Sequence, residues 1–100
     1  MQTAGRLSRR LRTLILSRMS EPIITFFTRE NCHLCEIAMA QLETAMGDRP
    51  FRLTKVDIDL EREHHEEYKH HIPVIWVNGV EVCRHRLDRT KFLAVLEAAT

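Results

Sequence analysis

Thr28-Arg29-Glu30-Asn31-Cys32-His33-Leu34-Cys35 follows directly on the apolar run Pro22-Ile23-Ile24-Thr25-Phe26-Phe27, and this junction decides the fold. The run is short, β-branched and aromatic, as a buried strand is. From residue 32 the spacing changes. Leu34, Ala38, Leu42 and Ala45 fall on one helical stripe, with Ile37 and Met46 close by, so residues 32–46 are predicted to be helical. Gly47 is placed to stop this helix and Pro50 prevents its continuation. Two cysteines three apart therefore open a helix immediately after a strand. Cys32 would be the cap residue and Cys35 would lie one turn inside, where their sulfurs can close a small disulfide ring. Unpaired backbone N–H groups and the positive end of the helix dipole stabilise a thiolate at Cys32. Arg29, and His33 when protonated, add positive charge. Cys35, further into the turn, would be the less exposed, resolving thiol.

Working outward, Phe51 to Ile58 is a second strand ending in Asp57-Ile58-Asp59. Residues 60–70 are highly charged, with Leu60, His64 and Tyr68 at helical spacing, and are expected to form a short exposed helix. Pro73-Val74-Ile75-Trp76-Val77 is a third strand, and Asn78-Gly79 joins it to Val80-Glu81-Val82-Cys83. Asn-Gly between two β-rich runs signals a hairpin, because both turn residues need positive φ. Asp88 can cap a final helix burying Phe92, Val95, Leu96 and Ala99. The order is β-α-β-α-β-β-α. A βαβ unit implies parallel strands and the hairpin adds an antiparallel pair, giving an α/β chain with a mixed sheet.

The net charge of +1 conceals two regions. Residues 1–20 carry five arginines and no acid, whereas residues 21–100 carry ten Lys and Arg against fourteen Asp and Glu. In the arm, Leu7, Leu11, Leu14 and Ile15 share one helical face opposite Arg6, Arg9, Arg10 and Arg12. A basic, acid-free amphipathic stretch has the composition of a mitochondrial transit peptide. Residues 1–20 are therefore set apart from a single domain at 21–100, with a mitochondrial location expected and a cytoplasmic one otherwise. The acidic body argues against a nucleic-acid binder. No apolar run approaches the roughly 20 residues of a membrane helix. Three cysteines are too few, and odd in number, for a disulfide-scaffolded secreted domain, so the compartment is expected to keep thiols reduced. There a close pair is catalytic or metal-binding more often than structural.

Zinc competes as a reading of the cysteines, but a structural site usually needs four ligands. His64, His65, His70 and His71 contain no pair four apart, and His64 and His71 would lie about 10 Å apart on a helix. No metal is assigned, and Glu61 to His71 reads as a solvated face. Cys83, alone on a strand, reads as a small hydrophobe, and Trp76 as core.

These residues resemble the thioredoxin superfamily and, within it, the glutaredoxins, closest to the short eukaryotic glutaredoxin-like proteins. The resemblance runs from about Ile23 to Leu96. It rests on Thr28 to Cys35, Val56-Asp57-Ile58-Asp59, Ile72-Pro73-Val74 and the Asn78-Gly79 hairpin. It implies a four-stranded mixed sheet flanked by three helices, with Cys32 as nucleophile, Cys35 as resolving cysteine and Pro73 as a cis-proline after Ile72. Arg29 holds the position of a lysine that assists glutathione binding in glutaredoxins, and Asp88 matches an aspartate of that site. The chain departs from the usual Cys-Pro-Tyr-Cys, having Cys-His-Leu-Cys, where His33 is expected to make the pair more oxidising by stabilising the thiolate. The usual Thr-Val-Pro is His71-Ile72-Pro73. The Gly-Gly pair that admits glutathione is occupied by His85-Arg86, which can obstruct it or supply donors for its carboxylates.

The resemblance thus implies a monomeric thiol–disulfide oxidoreductase acting on protein or glutathione mixed disulfides, with glutathione as co-substrate and no bound cofactor. Two other readings stand beside it. One is a redox-inactive thioredoxin-fold adaptor or assembly factor. The other is a metal or iron–sulfur module with Cys32 as a ligand in a dimer.

Overall fold

Ile23–Thr28 forms strand β1, which lies inside the sheet and is therefore apolar on both faces. The computed structural model describes residues 21–99. The basic arm and its reading as a targeting segment lie outside the described residues. After β1 come helix α1 (His33–Met46), strand β2 (Arg52–Asp57), a 3₁₀ turn (Arg62–His64), helix α2 (His65–Tyr68), strands β3 (Val74–Val77) and β4 (Val80–Arg84), and helix α3 (Arg89–Ala99). The sheet order is β2-β1-β3-β4. β1 runs parallel to β2 and antiparallel to β3, and β3 is antiparallel to β4. The mixed four-stranded sheet flanked by helices is the one expected.

The two-residue strand period divides the core between the sheet faces. Ile24 and Phe26 of β1 and Ile75 and Val77 of β3 pack with α1 and α3. Phe27 and Val74 turn to the other face, where Ile58 and Tyr68 complete a smaller cluster. Asn78 (φ 50°) and Gly79 (φ 82°) both adopt the left-handed region in the β3–β4 turn. The Asn78 side chain also accepts a hydrogen bond from the Ile23 amide at 2.8 Å, tying the hairpin tip to the start of β1. A register shift between Ile75 and Trp76 pairs them with Cys83 and Glu81, leaving Val82 as the extra residue. This bulge lets the adjacent Val82 and Cys83 both join the larger core cluster, where strict alternation would send them to opposite faces.

Both long helices end as their sequences predict. Gly47, at φ 57°, donates its amide to Glu43 O beyond α1. The Asp88 carboxylate accepts from the Lys91 amide at 3.1 Å and caps α3. The buried faces differ in detail from the expected ones. On α1 the inward residues are Cys35, Ala38, Leu42 and Met46, while Leu34 is 55% exposed and Ile37 is exposed. The stripes 34-38-42-45 and 35-38-42-46 share two residues, and hydrophobicity alone ranks Leu34 above Cys35. On α3, Phe92 and Leu96 are buried, Leu93 and Val95 pack at the edge, and Ala99 is exposed. The charged segment is a 3₁₀ turn followed by one α-helical turn, and its Tyr68 is core rather than solvated.

Substitution at the two leucines checks this helix register. Leu42→Ala, at a position with no exposure, should lower unfolding free energy by about 2–5 kcal/mol. Leu34→Ala should change it by no more than about 0.5 kcal/mol. Equal losses in chemical denaturation would contradict the assigned face.

Candidate functional site

The chain leaves β1 at Thr28 and must turn sharply to start α1. Asn31 makes the turn at φ 60°, a left-handed conformation that asparagine tolerates better than most residues. Cys32 follows in extended conformation as the N-cap, and its carbonyl accepts the first helical bond from Glu36 N at 3.1 Å. Its sulfur accepts a hydrogen bond from the Cys35 amide at 3.2 Å, doing for the helix what a capping serine does. The two sulfurs are bonded to each other. Cys32 is partly exposed, whereas Cys35 is 3% exposed against the core. The pair is therefore asymmetric, its first cysteine being the more exposed.

Beside the pair lies an open groove of about 700 Å³ lined by Arg29, Cys32, Cys35, Met39, Lys55 and Asp59, among others. Glu30, Glu36, Glu43 and Asp57 also face it, so its carboxylates outnumber its two cations. The expected Arg29 is present but already engaged. Its guanidinium grips Asp59 with two hydrogen bonds, Nη2 to Oδ1 at 2.7 Å and Nε to Oδ2 at 3.0 Å, and Nη1 reaches Lys69 O at 3.3 Å. The bond from Arg29 holds the Asp59 carboxyl below the ordinary carboxylate range, and Asp59 in turn raises Arg29. Arg29 thus ties the loop before the cysteines to the loop after β2 and to the end of α2.

His33 is exposed on the first turn of α1. Pro73 is buried at the start of β3, and the Ile72–Pro73 bond is cis. Ile72 and Cys32 border the same core cluster. Asp88, expected near glutathione, uses its carboxylate to cap α3 and does not line the groove. His85 stands in the left-handed region at φ 72°, a conformation that favours glycine. Its amide donates to both Pro73 O (2.8 Å) and His71 O (3.0 Å), locking the loop after β4 onto the loop before β3. Cys83 is 5% exposed, and burial pushes its thiol pKa up, so it behaves as core. Sequence reading passed over two site contributors. Asp59 belonged to a quoted motif but had no partner until the fold brought Arg29 to it. Asn31 is the turn residue that delivers Cys32, and asparagine before the pair was its only signal.

The glutaredoxin-like domain family (DUF836) matches residues 23–97, the whole of this architecture bar the ends. The chain belongs to that family. A glutaredoxin-like protein of Dictyostelium discoideum, the YDR286C homolog, is 31% identical over 91 residues, covering 85% of this chain and 84% of that protein. The solution structure of protein Ne2328 from Nitrosomonas europaea is similar with a TM-score of 0.67 at 27% identity, covering 75% of this chain and 91% of that one. Fasciola hepatica thioredoxin shares the fold, with a TM-score of 0.56 at 24% identity and 90% and 91% coverage. The glutaredoxin-like family and the thioredoxin fold that the cysteine junction implied are thus established. Among the described residues, no helix is long and apolar enough to cross a membrane.

The Arg29–Asp59 tie has a definite pH signature. Because the folded pKa of Asp59 is depressed, its contribution to stability is present above the unfolded value, about 3.9, and is lost as pH falls through the folded value. An NMR titration should place the Asp59 midpoint below about 3.9, and Arg29→Gln should move it back up. The same midpoint in both proteins would show that the pair does not persist in solution.

Proposed function

We propose that the protein is a dithiol–disulfide oxidoreductase that acts on protein disulfides. The observation that carries this reading is the asymmetric Cys32–Cys35 disulfide at the start of α1, with its outer sulfur hydrogen-bonded by the Cys35 amide. In the reduced protein that amide, the open helix end and its dipole favour a thiolate at Cys32. The thiolate attacks one sulfur of a substrate disulfide and expels the other as a thiolate, which takes up a proton. Cys35 then loses its proton and attacks the Cys32 sulfur. The Cys32–Cys35 bond forms, the mixed disulfide breaks and the second substrate thiol leaves. The substrate gains two electrons and two protons, and the pair loses them. Two equivalents of an external thiol, such as glutathione, reset the pair. His33 and the Ile72-Pro73 loop are assigned to tuning the pair and holding the substrate backbone.

Glutathione is better placed as the reductant than as a tightly held co-substrate. Arg29 is spent on Asp59, and Asp88 on the α3 cap. The excess of carboxylates along the groove repels the two carboxylates of glutathione and favours neutral or basic polypeptide segments. The composition of residues 1–20 supports delivery to mitochondria.

Turnover of a protein disulfide by the reduced enzyme is the direct assay. Cys32→Ser should fall to the uncatalysed rate while folding normally, since serine is also a good N-cap. Cys35→Ser should lose multiple turnover and accumulate a mixed disulfide on Cys32. Wild-type turnover by Cys32→Ser would overturn the proposal.

A further inference from the structure

Of the two cations that line the groove, Arg29 belongs to the turn that delivers Cys32. Lys55, the other, stands opposite Phe26 in the sheet, two positions further from that turn than the Thr28–Asp57 pair. The Arg29 guanidinium is nevertheless closed to a ligand entering the groove. Nε and Nη2 donate to the two oxygens of Asp59 at 3.0 and 2.7 Å, and Nη1 donates to Lys69 O at 3.3 Å. Two parallel bonds to one carboxylate are the strongest grip a guanidinium makes.

Asp59 is itself preset for this grip. The turn after β2 is closed by the Leu60 and Glu61 amides, which donate to Asp57 O at 3.0 and 2.8 Å. The Asp59 amide donates to Asp57 Oδ1 at 2.9 Å. From α2, His65 Nε2 lies 3.3 Å from Asp59 Oδ1 and backs the same carboxylate. An anionic ligand must therefore displace a held carboxylate before it reaches Arg29. Otherwise it meets Glu30, Glu36, Glu43 and Asp57 along the groove.

We propose that Asp59 is a positioning residue that sets the charge preference of the cysteine site. By holding Arg29 it denies the groove a free cation near Cys32, and so selects against disulfides that carry negative charge beside the bond. It acts through Arg29 and not by touching sulfur. The inference rests on the thiol–disulfide reading above and names the charge class of substrate that the site rejects.

The test uses the reduced full-length chain and two short synthetic peptide disulfides that differ only in Glu against Gln next to the cysteine. Exchange rates are read as the Glu-to-Gln ratio, in which a general loss of reactivity cancels. Wild type should favour the Gln peptide. Asp59→Asn should raise the ratio at least about threefold, as freeing one exposed charge pair allows. Asp59→Ala, with no amide to retain Arg29, should do the same. Most of the rise should vanish when Asp59→Asn is combined with Arg29→Gln. Glu43→Gln, which removes an equal charge from the same groove but frees no guanidinium, should raise the ratio less. Wild-type preference for the Glu peptide would overturn the inference and leave the redox reading standing. So would a ratio unmoved by both Asp59 substitutions, moved as far by Glu43→Gln, or moved as far without Arg29. Failure of wild type to exchange with either peptide would overturn the redox reading and this inference with it.

Discussion

The hydrogen bond from the Cys35 amide to the Cys32 sulfur is the interaction on which the site depends. It exists because β1 ends where α1 begins, and because a cysteine occupies the capping position that serine or aspartate usually holds. The bond satisfies an amide that the helix itself leaves unpaired. It also fixes the geometry that puts one sulfur at the surface and the other in the core. β1 can supply this fixed point because it is held on both sides, parallel to β2 and antiparallel to β3. Cys35 and Ala38 of α1 join Phe26 and Ile75 in the larger core cluster.

Where the determinants were local, the sequence was legible. The strand–helix junction, the Asn78-Gly79 turn, the Gly47 stop and the Asp88 cap each state their conformation within a few residues. The element order followed, and with it the mixed sheet. The inward face of α1 was less legible, because two overlapping stripes compete and only the sheet beneath them chooses Cys35 over Leu34. Tyr68 was hidden in the same way. Its neighbours are charged, yet its ring is buried against Phe27, and its hydroxyl donates to Glu81 while accepting from Trp76 Nε1. No periodicity in a segment of 3₁₀ turn and single helical turn announces such a contact.

The long-range pairs were invisible in principle. Arg29 reads as a free positive charge three residues before Cys32, but the fold brings Asp59 to it across 30 positions. The guanidinium then organises three loops rather than waiting for an anionic ligand. His85 shows the converse. A histidine stands there in the left-handed region that favours glycine, and its amide bonds the loop to Pro73 and His71.

The central claim is that Cys32 and Cys35 interconvert between dithiol and disulfide. The measurement closest to it is equilibration of the full chain in glutathione buffers of graded redox ratio, followed by thiol trapping and intact-protein mass spectrometry. The account predicts a reversible loss of two hydrogens in a single transition, absent when either cysteine is replaced by serine. A pair that stays reduced at every ratio, or that yields only glutathione adducts, would contradict it.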